Sequence, residues 1–191
     1  KNGAIPPSER ELKLLTTPSS TNLKSIIEWE IILGKLKGTN MLDQSVPDFE
    51  LPATGEQRFK LSAMRGYPFV IYFYPKDDTP GCTSEGMQFR DLYAEFGKLK
   101  CTVFGVSRDN LKSHEKFKSK MSFPFELLSD EAEIACNIFN VIKMKNMYGK
   151  QVRGIERSTF ILDKDGVLRK EWRGVSVPGH AQEVLDAVKS L

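Results

Sequence analysis

Two strand-like runs with a helical pattern between them determine the predicted fold of the middle of this chain. Residues 69–74 (FVIYFY) form a continuous apolar, aromatic and β-branched run, which is typical of a central strand covered on both faces. Apolar side chains then recur at helical spacing over residues 83–97, and residues 102–107 (TVFGVS) have the pattern of a second strand. A strand, helix and strand in this order require parallel pairing through a right-handed crossover, so the core is predicted to be an α/β unit.

The rest of the sequence predicts further strands and helices around that unit. The predicted elements are helices over residues 110–121 and 131–139, strands over 125–128, 157–162 and 167–172, and a closing helix from about Gly179. Residues 163–166 (DKDG) carry a hairpin signal between the last two strands. We therefore expect an α/β, thioredoxin-like fold, with a mixed central sheet and helices on both faces.

The first forty residues differ in amino-acid composition from the remainder. Pro, Ser and Thr are frequent between residues 6 and 21, which favours irregular or disordered chain. Residues 23–37 carry enough apolar side chains for an amphipathic helix or a short strand, and periodicity leaves both open. We predict an N-terminal extension over residues 1–40 and one domain over 41–191. The acidic residues of the extension argue against organelle targeting, so the expected location is the cytoplasm.

The composition argues against several classes of function. The net charge of +3 is spread without a run of Lys and Arg, so nucleic acid is not an expected partner. The three cysteines form no C-x-x-C pair and the chain has two histidines, so no metal site and no cofactor are expected. An apolar stretch of about 18 residues, as a membrane span requires, does not occur. The sparse, odd cysteine count suits a reducing compartment.

The segment over residues 74–90 is the most informative part of the chain. It connects a central parallel strand to the start of a helix, which is where open α/β sheets place their ligands. Thr79 is a good N-cap and Pro80 a good first helical residue, so Cys82 falls in the first turn. Unpaired backbone N–H groups at a helix start favour the thiolate, which is the nucleophilic form of cysteine.

The spacing of Pro75, Thr79 and Cys82 resembles the P-x-x-x-T-x-x-C signature of the peroxiredoxins. The wider chain is similar to one peroxiredoxin subgroup, that of bacterioferritin comigratory protein or peroxiredoxin Q. The similar segments are YPKDDTPGCTSE at 74–85, VPDFEL at 46–51, ELLSD at 126–130 and RSTFILDKDG at 157–166. The resemblance covers roughly residues 41–191 and says nothing about residues 1–40.

The resemblance implies a thiol peroxidase that reduces hydrogen peroxide and organic hydroperoxides. It implies that Cys82 is the peroxidatic cysteine, that Thr79 and Arg157 activate it, and that Pro75 shields the sulfur. The chemistry fits these residue types. Displacement at a peroxide oxygen needs an activated sulfur and donors that polarise both oxygens. The guanidinium of Arg157 can contact sulfur and oxygen together and keeps its proton.

The chain departs from the subgroup at Met87. Many members carry a resolving cysteine at this position, five residues after the peroxidatic one. We therefore predict a one-cysteine mechanism, in which thioredoxin, glutaredoxin or a small thiol such as glutathione attacks the Cys82 sulfenic acid. The alternative is that Cys101 or Cys136 resolves it within the chain, although both are predicted to be packing residues. The expected assembly is a monomer or weak homodimer.

The remaining polar residues near these motifs are predicted to have structural or solvent-exposed roles. Glu85, in the first turns of the helix, is predicted to join a polar network with nearby arginines. His114 and His180 are predicted to be solvated, and the lysines over residues 112–120 are predicted to form a solvent-exposed face of a helix. A redox-regulated binding protein on the same fold is the competing function. The missing C-x-x-C argues against a disulfide reductase.

Overall fold

The computed structural model describes residues 41–191, so the predicted extension over residues 1–40 lies outside the described residues. The strands are β1 Glu50–Ala53, β2 Gln57–Lys60, β3 Phe69–Phe73, β4 Thr102–Ser107, β5 Leu127–Ser129, β6 Ile142–Met147, β7 Lys150–Ile155, β8 Ser158–Leu162 and β9 Leu168–Arg173. The helices are α1 Pro80–Lys98, α2 Leu111–Met121, α3 Ile134–Ile138 and α4 His180–Val188, and a 3-10 turn covers Leu61–Met64.

Seven of these strands form one mixed sheet in the order β2-β1-β5-β4-β3-β8-β9. The central strand β3 pairs in parallel with β4, from Phe69 opposite Thr102 onward, and β4 pairs in parallel with β5. On its other side β3 pairs antiparallel with β8. All residues of β3 and β8 are buried, as the continuous apolar runs predict for central strands. The predicted mixed α/β sheet is therefore confirmed.

Alternation along β3 divides the core into two layers. Val70 and Tyr72 belong to the layer that also contains residues of α1, α2 and α4. Ile71 and Phe73 point to the opposite layer, which contains residues of α3 and of the β1–β2 hairpin. Successive side chains of a strand face opposite sides of the sheet, so helices cover both faces, as predicted.

Two hairpins in the structure are missing from the sequence prediction. The first joins β1 and β2, and it adds an antiparallel edge to the sheet. The second is a separate two-stranded ribbon of β6 and β7, with Ile142 opposite Ile155 at its base. At its tip Tyr148 and Gly149 both have positive φ, as the tight hairpin turn requires. Its strands are rich in Lys, Asn, Gln and Arg, so their apolar alternation is weak.

Candidate active site

The fold places Cys82 at the carboxyl end of the central strand. The chain leaves β3 at Phe73, crosses a short loop over residues 74–79, and begins α1 at Pro80 with Thr79 at the N-cap. The backbone N–H of Thr83 bonds the carbonyl of Thr79 at 2.8 Å. Cys82 is therefore in the first turn, as predicted, and its side chain is almost wholly buried, with 2% exposed.

Arg157 reaches this sulfur because of the pairing between β8 and β3. Ser158 is opposite Phe73 in the antiparallel register, so the residue before Ser158 emerges beside the loop that follows Phe73. The Nη2 atom of Arg157 lies 3.4 Å from the Sγ atom of Cys82. Its Nη1 atom donates to the Oε2 atom of Glu85. One guanidinium therefore joins the cysteine and the carboxyl group.

Burial dominates the electrostatics of Glu85. It raises the pKa of this carboxyl group to about 7, and the charge of Arg157 and its hydrogen bond work in the opposite direction. Burial also opposes the charge on Arg157, but Glu85 and Cys82 raise the pKa of Arg157 above its ordinary value. The guanidinium therefore stays charged. The predicted polar network of Glu85 with an arginine is confirmed, and its partner is Arg157.

The loop residues Pro75 and Thr79 flank the turn that leads into α1. The Thr79 hydroxyl donates to the backbone carbonyl of Lys76 at 3.0 Å, and its side chain makes no capping bond to the helix. Thr79 thus occupies the predicted N-cap position while its hydroxyl closes the loop on itself. Pro75 is exposed at the start of the loop.

The prediction that both histidines are solvated is wrong. His114 is 0% exposed, and its Nδ1 atom lies 2.9 Å from the Oδ2 atom of Asp77. His180 is 4% exposed, and its Nε2 atom lies 2.8 Å from the Thr159 hydroxyl. Helix α2 has a buried inner face opposite its lysines: His114 and Phe117 are three residues apart and share one side of the helix. That spacing was the only indication of the buried face in the sequence.

Cys101 and Cys136 are both buried free thiols, as expected for packing residues. Burial raises the pKa of Cys101 to about 12. Burial, followed by the Asp130 carboxylate, raises the pKa of Cys136 as well. Neither environment favours a reactive thiolate. Met87 is partly exposed on α1, at 37%.

The part of the chain that the structure describes contains no helix long and apolar enough to cross a bilayer. In the same residues no group of three or more His, Cys, Asp or Glu side chains is arranged to hold a metal ion.

Comparison with known proteins gives the class to which this arrangement belongs. Residues 42–171 match the model of the AhpC/TSA family. Peroxiredoxin Bcp of Xanthomonas campestris pv. campestris is 51% identical over 152 residues, which cover 78% of this chain and 95% of the relative. Peroxiredoxin Bcp of Bacillus subtilis is 45% identical over 150 residues, covering 78% of this chain and 96% of the relative.

Solved structures agree with these relatives. Bacterioferritin comigratory protein of X. campestris has a TM-score of 0.71 at 52% identity, over 74% of this chain and 90% of that chain. A variant of Xylella fastidiosa PrxQ has a TM-score of 0.73 at 44% identity, over 79% and 94%. The chain belongs to the AhpC/TSA family of thiol peroxidases, within its Bcp or peroxiredoxin Q branch. The predicted resemblance and the thioredoxin-like α/β fold are both confirmed.

Proposed function

We propose that the chain reduces hydrogen peroxide and organic hydroperoxides at Cys82 by a one-cysteine cycle. The contact of 3.4 Å between the Arg157 guanidinium and the Cys82 sulfur is the observation that carries the proposal. A fixed cation beside sulfur favours the thiolate and also meets the charge that develops on the peroxide oxygens. The related protein of X. campestris is described for its alkyl peroxide reduction activity, which supports organic hydroperoxides as substrates.

In the first step the Cys82 thiolate attacks one oxygen of the hydroperoxide along the O–O axis. An S–O bond forms and the O–O bond breaks, so sulfur loses two electrons and the peroxide gains them. The leaving alkoxide or hydroxide takes up a proton, and Cys82 becomes a sulfenic acid. Arg157 stabilises both the attacking sulfur and the leaving oxygen. Thr79 and Pro75, on the loop before the helix, shape the approach to the sulfur.

Recycling needs a thiol from outside the chain, because the other two cysteines are badly placed. Cys101 immediately precedes β4, whereas Cys82 follows β3, and these strands are parallel. The two thiols therefore belong to opposite edges of the sheet, separated by about 20 Å for a strand of this length. Cys136 belongs to the other core layer, across the sheet.

The external thiol attacks the sulfenic sulfur, so a mixed disulfide forms and water leaves. A second thiol then attacks the mixed disulfide, which restores the Cys82 thiol and releases the oxidised donor. Thioredoxin, glutaredoxin and glutathione are the proposed donors. Three free thiols suit a reducing compartment, so we propose the cytoplasm as the location and a monomer or weak homodimer as the assembly.

Mass spectrometry of the reduced protein, treated with one equivalent of hydrogen peroxide, tests the cycle. We expect one added oxygen on Cys82, which a sulfenic acid reagent traps, and turnover when one of the three donors is supplied. The double variant Cys101→Ala, Cys136→Ala is the matched control and should turn over like the wild type. A disulfide between Cys82 and either buried cysteine would contradict the one-cysteine cycle.

A further inference from the structure

A buried polar cluster holds the loop over residues 74–79, which we call the catalytic loop, against helix α2. Asp77 and Tyr74, in the loop, form this cluster together with Ser113 and His114 on α2. Asp77 is 7% exposed and His114 0% exposed, so both are shielded from water. Burial of an ionisable group costs folding free energy unless the group is paired, so Asp77 and His114 depend on their partners.

The Asp77 carboxylate is satisfied from three sides. Its Oδ1 atom accepts a hydrogen bond from the Tyr74 hydroxyl at 2.8 Å, and its Oδ2 atom accepts one from the Ser113 hydroxyl at 2.7 Å. The Nδ1 atom of His114 lies 3.0 Å from Oδ1 and 2.9 Å from Oδ2. Burial opposes the charge on Asp77, but the bonds from His114, Ser113 and Tyr74 lower its pKa. The carboxylate is therefore charged and fully engaged.

The cluster is also hydrogen-bonded to two strands of the sheet. The Nε2 atom of His114 lies 3.1 Å from the backbone carbonyl of Leu128 in β5. The backbone N–H of Asp77 donates to Asp109 at 2.9 Å, and Asp109 in turn accepts from the Ser107 hydroxyl of β4 at 2.7 Å. The loop is thus held against α2, β4 and β5 at once.

Next to the cluster the loop takes a conformation that few side chains tolerate. Asp78 has φ 56, in the left-handed region, where Asn and Asp are enriched among the non-glycine residues. The Lys120 ammonium, on α2, holds the Asp78 carboxylate at 2.7 Å. This turn lies just before Thr79 and Cys82, so a loop released from α2 would be free to move the helix start.

We propose that Asp77 and His114 are positioning residues that hold Cys82 in its reactive geometry by clamping the catalytic loop to α2. This rests on the peroxidase function proposed above. Neither residue touches the reacting atoms in the structure; both act through the loop. Their effect is preorganisation, because Cys82 and Arg157 come from different parts of the fold and react only while the loop keeps them together.

The variant Asp77→Asn tests this, because it keeps the size of the side chain and removes its charge. We expect the rate of Cys82 oxidation by hydrogen peroxide to fall about 10²-fold in stopped-flow mixing. His114→Asn, which keeps a donor near the Nδ1 position, should recover part of the rate that His114→Leu loses.

A matched control separates positioning from stability. Leu168→Ala removes a fully buried side chain from the other core layer, so it destabilises the fold without touching the loop. Its oxidation rate should remain within about twofold of the wild type. Should Asp77→Asn fail to fold, Ser113→Ala removes one bond of the cluster and should still slow the reaction by about threefold to tenfold.

The outcomes are distinguishable. A wild-type oxidation rate in Asp77→Asn, or in Ser113→Ala if that variant is used instead, would overturn the clamp and leave the peroxidase intact. An equal slowing in Leu168→Ala at equal urea midpoint would also overturn it, since loss of stability alone would then suffice. A wild-type chain that reacts no faster than free cysteine would refute the proposed function itself, and the clamp with it.

Discussion

Arg157 and Cys82 are 75 residues apart in the chain, yet the Nη2 atom of Arg157 lies 3.4 Å from the sulfur of Cys82. The antiparallel register of β8 against β3 brings them together, because Ser158 pairs with Phe73 at the end where the catalytic loop begins. The same guanidinium contacts Glu85. The site is therefore a product of the sheet topology as much as of the local signature.

Replacement of Arg157 should abolish most of the reactivity of Cys82. In Arg157→Gln we expect the rate with hydrogen peroxide to fall about 10²- to 10³-fold, because a fixed charge at the reacting atoms is lost. Arg157→Lys should restore little, since an ammonium cannot contact the sulfur and Glu85 together as a fork does. Arg169→Gln, which removes a more exposed arginine paired with Asp43 and Asp163, is the control and should leave the rate unchanged.

Thr79 should act through its hydroxyl. Thr79→Val keeps the branched shape but loses the donor to the Lys76 carbonyl, so we expect the oxidation rate to fall by about tenfold. Thr79→Ser keeps the donor and should retain most of the rate. Stopped-flow rates for the two variants check this, and equal rates would show that the hydroxyl is not used.

The stability of the protein should depend on pH through Glu85. Burial raises the pKa of this carboxyl group from 4.5 to about 7, so the folded state holds a proton that the unfolded chain releases between these values. Stability should therefore fall as the pH rises from 4.5 to 7, by on the order of 3 kcal/mol, and level off above 7.

Glu85→Gln provides the comparison for that pH dependence. The amide has nearly the same shape and does not titrate, so the difference in unfolding free energy between variant and wild type should grow from pH 5 to pH 7.5. Urea unfolding at several pH values measures it. A difference that is constant over this range would contradict the raised pKa.

Met87→Cys should convert the oxidised product from a sulfenic acid to an internal disulfide. Five residues of intact helix rise by about 7.5 Å, which exceeds the usual Cα separation in a disulfide, so the start of α1 has to unwind. We expect mass spectrometry to show the loss of two hydrogens after peroxide treatment. Tyr67→Cys is the control: position 67 is exposed before β3, at the opposite edge of the sheet, and should form no bond to Cys82.

Local signals made part of this structure predictable. Neighbouring residues indicate both the apolar strand β3 and the start of α1 at Thr79–Pro80. The placement of Cys82 in the first helical turn could therefore be predicted from local sequence. Arg157 could be assigned to the site only through the family resemblance, because nothing nearby in the chain indicates its partner.

Other features depend on partners that sequence spacing does not show. His114 sits among lysines, and its burial becomes evident only once Asp77 packs against it. The ribbon of β6 and β7 was not predicted, because its strands lack a clear apolar alternation. They are defined by backbone pairing and by a turn at Tyr148 and Gly149. Buried polar pairs and polar ribbons are stabilised by long-range contacts, which hydrophobic periodicity does not encode.

The reaction of reduced protein with hydrogen peroxide in a stopped-flow instrument tests the account most directly. Loss of the Cys82 thiol should be faster than that of free cysteine by several orders of magnitude, and Cys82→Ser should remove the reaction entirely. A Cys82 thiol that disappears no faster than free cysteine would contradict the account and favour a binding protein regulated by slow oxidation.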